Sequence, residues 1–187
     1  MRKLGPDDYR TMPWKNGLGF TTELLIDPPG ATLEAGFRWR ISTAAVAQSG
    51  PFSSFPGFDR TLMLLEGDGL ELDHGPHGRA TLPGPLVPVR FKGEWETRGR
   101  LLGGACRDFN VMSRRAEARH DLTLLRAGPD PAPLPEAPVL LLYCCAGAAK
   151  LDGMGKLARG ELLKIDGGGG RVRGADGPCD LAVIAIW

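Results

Sequence analysis

Short apolar stretches, broken every few residues by glycine or proline, run the length of this chain. Phe20–Ile26 is rich in Thr, Phe, Leu and Ile and stops at Asp27-Pro28-Pro29-Gly30, which cannot continue a ladder. Residues 37–46 alternate cleanly. Phe37, Trp39 and Ile41 share one face, and Arg38, Arg40 and Ser42 share the other. Thr61–Glu66 predicts a third strand, Gly67-Asp68-Gly69 a hairpin turn, and Leu70–Asp73 the return. Residues 74–90, with His74, His77, Pro83, Pro85 and Pro88, read as loop and short edge pieces, and Val89–Phe91 as a short strand. Trp95–Leu102 has no decisive period. Cys106–Arg115 reads as a strand with a polar corner, and Leu122–Leu125 as a further strand. The proline-rich Ala127–Pro138 predicts a semi-rigid surface spacer. Val139–Cys145, the most apolar run, is short enough for a buried strand. Leu162–Ile165, a glycine-rich turn at Asp166–Gly170 and a closing strand at Asp180–Trp187 complete the pattern. Residues 1–13 are polar and read as surface, and Trp14–Gly19 reads as a turn into Phe20–Ile26.

No stretch carries a convincing amphipathic helical period, so the fold class is all-β. Met63–Asp73 resembles Leu142–Asp152: in each, an apolar strand meets a small-residue turn and returns as an amphipathic strand ending in Asp. That weak repeat points to two related β-units, barrels or sandwiches, in one chain.

The corner at Gly50–Arg60 is unlike a plain solvent loop. Phe52, Phe55 and Phe58 are interleaved with Ser53, Ser54 and the pair Asp59-Arg60, and Pro51 and Pro56 stiffen it. Such a corner plugs a barrel end or walls a small-molecule pocket, and one corner can do both.

Composition narrows the picture. The 27 Gly and 16 Pro among 187 residues are spread along the chain, which favours short strands over long helices. A net charge of +1 gives no reason to expect nucleic acid or an anionic membrane as partner. No apolar run follows the basic start, and none approaches the roughly 18 residues that cross a bilayer, so the expectation is a cytoplasmic protein. Cys106, Cys144, Cys145 and Cys179 lack C-x-x-C spacing and read as reduced, partly buried thiols.

Three segments carry a family resemblance: Trp14–Glu23, then Trp39–Ser42 with Gly50–Arg60 and Leu65–Gly67, then Asp108–Arg115. In order and spacing they resemble the HutD/Ves family of bicupin proteins, which is associated with histidine utilisation in bacteria. Leu18 stands where that family has glycine, making the turn less permissive. The resemblance implies a bicupin of two small antiparallel, jelly-roll-like barrels, expected at residues 1–105 and 106–187 with strands exchanged between halves. It also implies a small acidic ligand, formylglutamate-like. It leaves room for a homodimer paired through sheet edges.

Candidate chemistry is sparse. The histidines are His74, His77 and His120, read as surface residues, so the expectation is no metal and no cofactor. No nucleophile elbow or phosphate loop is present, and no catalytic residue is assigned. What remains is an anion site: Arg40, Arg60 and Arg114 to grip a carboxylate, Asn16, Ser42, Ser53 and Asn110 as neutral hydrogen-bonding groups, and Trp14 and Phe55 as apolar walls. The strand pattern turns Arg40 toward the pocket. Arg60 has Asp59 and Glu66 close by for an ion pair. Arg114 and Arg115 point opposite ways, so at most one enters the same cavity. The leading reading is a metabolite-binding bicupin, a sensor or governor of histidine catabolism. The alternatives are a metal-independent isomerase or hydrolase with Glu66 or Glu23 as base, and a scaffold whose aromatic corner binds a partner.

Overall fold

The alternating stretches form strands, and no α-helix occurs among residues 1–14, 19–153 and 155–187, which the structure, a computed structural model, describes. The strands are β1 (Arg2–Leu4), β2 (Arg10–Pro13), β3 (Phe20–Asp27), β4 (Trp39–Val46), β5 (Gly50–Pro51), β6 (Phe58–Glu66), β7 (Leu70–Asp73), β8 (Arg79–Leu82) and β9 (Val89–Lys92). They continue as β10 (Arg98–Leu101), β11 (Cys106–Arg114), β12 (His120–Ala127), β13 (Ala132–Ala146), β14 (Ala148–Leu151), β15 (Lys156–Ala158), β16 (Leu162–Gly174) and β17 (Cys179–Ile186).

The chain divides into two units, Arg10–Arg119 and Met1–Tyr9 with His120–Trp187. This division differs from a boundary at 105/106, for a reason visible in the pairing. β11 lies between β4 and β6, so Cys106–Arg114 is the centre of the first unit's sheet. β1 pairs with β16, which carries the first residues into the other unit. No sheet closes into a barrel by strand pairing among the described residues.

Unit Arg10–Arg119 holds a six-stranded sheet in the order β2-β3-β4-β11-β6-β9 and a four-stranded sheet in the order β5-β10-β7-β8. In the larger sheet Arg40 pairs with Met112 and Ser42 with Asn110, so Arg40, Ser42, Ala44 and Val46 share a face with Met112, Asn110, Asp108 and Cys106. Arg60, Leu62 and Leu64 extend that face on β6. At one end Val46, Cys106, Leu62 and Leu64 join Leu70, Leu72 and Leu82 of the smaller sheet in a core cluster. At the other end Ile26, Phe37, Phe58 and Met112 form a second cluster. The polar residues lie between the two.

The other unit is one seven-stranded sheet, β12-β17-β13-β16-β14-β15 with β1 on β16. Its core gathers Leu140, Leu142 and Cys144 from β13, Leu163 and Ile165 from β16, and Cys179, Leu181, Val183 and Ala185 from β17.

Several expectations need correcting. From Ala132 onward, the stretch read as a proline-rich spacer forms the first half of β13, with Leu134 and Ala137 in the core. There it pairs with β16 but not yet with β17, so proline sits where one side of the strand is open. The glycine run is a bent strand rather than a turn. Gly168 pairs with Ala137 and Gly170 with Leu134, and a Cβ on Gly168 would lie 2.4 Å from the Ile165 side chain. Gly67-Asp68-Gly69 turns a corner between sheets and closes no hairpin, because β6 and β7 are not paired. Residues 1–13, read as surface, contain β1 and β2, and Leu4 is buried.

Candidate functional site

The site begins with an irregularity in the alternation. A bulge at Leu24 puts Glu23, opposite Ser42, and Ile26, opposite Arg40, on one face of β3. Simple alternation would send one of them to the far side. The bulge therefore brings a carboxylate to the buried guanidinium of Arg40, with Arg40 Nε 2.7 Å from Glu23 Oε2. A second irregularity, where β11 meets β6, sets Asp108 opposite Leu64.

Four rows cross the centre of this face. Along β11 they read Cys106, Asp108, Asn110, Met112: apolar, polar, polar, apolar. Asp108 is buried, and its carboxylate accepts a hydrogen bond from the Ala44 amide at 2.9 Å. Arg60, also buried, is held by aromatic rings. Its guanidinium carbon lies 4.9 Å from the Phe91 centroid, 5.4 Å from Phe55 and 5.8 Å from Phe52, and its Nη1 donates to the Ser53 carbonyl at 3.1 Å.

Three polar atoms here are buried without a hydrogen-bond partner: Arg40 Nη2, Arg60 Nε and Asn110 Oδ1. A buried unpaired donor or acceptor costs about 1–3 kcal/mol, so two donors and an acceptor left open on one face define a demand for a ligand or ordered water. The electrostatics agree. Burial pushes the Asp108 carboxyl up to about 7, although Arg60, the Ala44 amide and Arg40 all pull it down. Burial likewise pulls Arg60 down to about 10, with Asp108 opposing and Arg40 adding to the fall. On both partners, loss of water outweighs mutual attraction.

Arg40, Ser42, Arg60 and Asn110 come together as the sequence suggests, though Arg60 points into the rings rather than to Asp59 or Glu66. Ser42 is buried beside Asn110, while Ser53 is exposed and contributes its carbonyl rather than its hydroxyl. Trp14 packs on the apolar cluster and donates from Nε1 to Thr21 Oγ1 at 2.8 Å. Asn16 lies outside the described residues. Arg114 is engaged at the rim: its Nε reaches the Phe37 carbonyl at 3.1 Å and Glu117 at 3.3 Å, and its guanidinium lies over Phe58. Arg115 bridges Asp59 and Glu94. Glu66 is exposed and 3.8 Å from Arg107, off the site face, which removes it as an interior base.

The sequence reading gave Asp108 no interior role. The available signal was the pair Asp108 and Asn110 at alternate positions of an otherwise apolar strand face. His74 is a second correction. It is buried rather than at the surface, with Nδ1 2.8 Å from Thr97 Oγ1 and its ring 4.9 Å from that of Phe91. Burial lowers its pKa, which keeps it neutral near pH 7. His120 is half-buried at the start of β12. Among the described residues no group of three or more His, Cys, Asp or Glu is placed to hold a metal ion. No helix among them is long and apolar enough to cross a membrane.

The HutD family model matches residues 6–182. An uncharacterized 21.2 kDa protein in the hutC 3′ region of Pseudomonas putida is 44% identical over 113 residues, 60% of this chain. Protein Ves of Escherichia fergusonii is 40% identical over 57% of it. The match thus spans only 57% and 56% of the length of those relatives. A conserved protein of unknown function from Pseudomonas aeruginosa PAO1 superposes with TM-score 0.87 at 34% identity, covering 99% of this chain and 97% of that one. HutD from Pseudomonas fluorescens SBW25, solved in a formate condition, superposes with TM-score 0.81 at 32% identity over 100% and 98%. An oxalate decarboxylase of Bacillus subtilis superposes with TM-score 0.70 over 99% and 77% at 8% identity, a likeness of fold alone. The fold is cupin-like.

Proposed function

The chain belongs to the HutD family, and from that premise we propose that the Arg10–Arg119 unit binds a small carboxylate of histidine breakdown, formylglutamate-like, as a sensor or governor of that catabolism. One observation carries the reading. Arg40 Nη2, Arg60 Nε and Asn110 Oδ1 are buried, unpartnered and on one sheet face. A carboxylate supplies the acceptor oxygens that the two guanidinium donors lack, and an N–H on the same molecule supplies the donor that Asn110 lacks. Phe52, Phe55 and Phe91 around Arg60 keep that charge dry, which strengthens its pull on an anion. The same rings weigh against the scaffold alternative. The aromatic corner is turned onto Arg60, with Phe52 and Phe55 half-buried and Phe58 buried.

The test is a thermal-shift panel on chelator-treated protein with formylglutamate, glutamate, histidine and urocanate. A ligand at about a hundred times its Kd adds roughly 2.7 kcal/mol. For a chain of this size that corresponds to about 5–11 °C in Tm. A shift of that size with formylglutamate, abolished in Arg60→Met, supports the reading. No shift with any of the four refutes it.

A further inference from the structure

The site contains one more group that the ligand must meet. Asp108 lies one pleat from Asn110 on the central strand, on the face that carries Arg40 and Arg60. Its hydrogen bond among the described residues comes from the Ala44 amide, and neither arginine is within ion-pair distance. Two guanidinium groups thus stand near a buried carboxyl without closing on it, each with an open donor. The charged groups on this sheet face are Glu23 from β3, Arg40 from β4, Arg60 from β6 and Asp108 from β11. His74, just beyond the end of β7, is kept neutral by burial, and the Cys106 thiol, two residues along β11, is pushed up to about 11 and also stays neutral.

Counting those charges gives the constraint. With Asp108 ionised, two cations face two anions and the cluster is neutral. A carboxylate entering then leaves one buried negative charge uncompensated, which low-dielectric surroundings strongly disfavour. With Asp108 protonated, the empty cluster carries one positive charge, and the one end-group carboxylate that reaches the arginines neutralises it. The protonated carboxyl also becomes a hydrogen-bond donor aimed among acceptor oxygens.

We propose that the site takes up its carboxylate ligand together with one proton, carried by Asp108. Asp108 is thus a ligand-facing, specificity-determining residue that selects a singly charged end group over a doubly charged one such as phosphate. The idea rests on the carboxylate-binding reading above and deepens it. The position of the carboxyl's titration near neutrality places the effect in an accessible range.

The experiment is calorimetric titration of the full chain with formylglutamate from about pH 5.5 to 8.5, in two buffers of different ionisation heat, for the wild type and Asp108→Asn. In the wild type the apparent Kd weakens by about tenfold per pH unit above neutrality. The observed heat changes with buffer, corresponding to proton uptake. In Asp108→Asn, a neutral donor of the same shape, both dependences vanish. A Kd that is flat with pH, or a wild-type heat independent of buffer, overturns proton-linked uptake while leaving carboxylate binding intact. An equal pH slope in Asp108→Asn overturns the assignment to Asp108. No binding at any pH sinks both this inference and the reading beneath it. If Asp108→Asn fails to fold, the wild-type buffer comparison still decides proton-linked uptake, and Asp108→Ser, titrated in the same way, decides the assignment.

Discussion

Counted from Cys106 and Cys179, the two units put different chemistry on the same strand. β11 runs between β4 and β6 and turns Cys106, Asp108, Asn110 and Met112 inward. β17 runs between β12 and β13 and turns Cys179, Leu181, Val183 and Ala185 inward. Their partners correspond. Asp108 faces Leu64 where Leu181 faces Cys144, and Met112 faces Arg60 where Ala185 faces Leu140. The corner that ends each partner strand matches too, Gly67 after β6 and Gly147 after β13. Gly67 and Gly147 both have positive φ, and a Cβ on either would lie 2.4 Å from that of Cys106 or 3.1 Å from that of Cys179, respectively. The apolar unit shows that this arrangement of strands needs no buried charge. Those of the Arg10–Arg119 unit oppose stability, and their open donors point to a ligand as the reason for keeping them.

The largest expected effect comes from making one unit resemble the other. Glu23→Leu alone leaves Arg40 buried and unpaired, and should lower stability by about 3–5 kcal/mol. Glu23→Leu with Arg40→Met removes both charges, and should be neutral or up to about 4 kcal/mol more stable. Carboxylate binding should be lost in the double variant, which removes the Arg40 donors. Urea unfolding with binding on the same samples decides. A double variant as unstable as the single one would mean the charges hold the fold, and the comparison would break.

The apolar unit gives the next effect. Leu181→Ala, at the position equivalent to Asp108, should cost about 2–5 kcal/mol through the cavity it leaves. It should leave the affinity for formylglutamate within about twofold, since the residue belongs to the other unit. A tenfold loss of affinity without unfolding would show that the units are coupled.

Much of this fold could be read from alternation, because a half-buried strand must alternate. The faces of β4 follow directly from Trp39, Arg40, Ile41 and Ser42. What escaped were departures from period two and pairings made at a distance. The Leu24 bulge reverses the side on which Glu23 falls, and no local residue choice announces it. Asp108 stands out as interior only once β11 is known to be the central strand. The prolines of β13 resemble a linker until the glycines of β16 are placed opposite them. His74 sits in a glycine- and proline-rich stretch, yet rings distant in sequence, Phe91 and Trp95, bury it.

A smaller effect separates the units by pH. The folded-state pKa of Asp108 is raised above its unfolded value, so the native chain holds the extra proton between roughly pH 4 and 7. Its stabilising contribution is therefore full at the acid end and is lost as pH rises toward 7, at up to about 1.4 kcal/mol per pH unit. Asp108→Asn should remove that component of the slope in urea midpoints measured across the window. An unchanged slope would assign it to other carboxyls.

The smallest effect belongs to the rim. Arg114 fills the space beside Gly36, where an added Cβ would lie 2.7 Å from its Nη2, and its charge meets Glu117 at 3.3 Å with both side chains over a third exposed. An exposed pair of this kind contributes about 0–1 kcal/mol, and the stacking on Phe58 about 0.5–1 kcal/mol more. Arg114→Ala should therefore lower stability by about 1–2 kcal/mol, with the ion-pair part fading at high salt. Its effect on formylglutamate affinity should stay within about twofold, because the guanidinium is already held by Phe37, Phe58 and Glu117 and reaches none of the open donors. The contrast with Arg60→Met is the sharp test, since both residues are arginines against aromatic rings in the same unit. If Arg114→Ala weakens binding as much as Arg60→Met does, the anion site extends to the rim and burial is not what distinguishes the two.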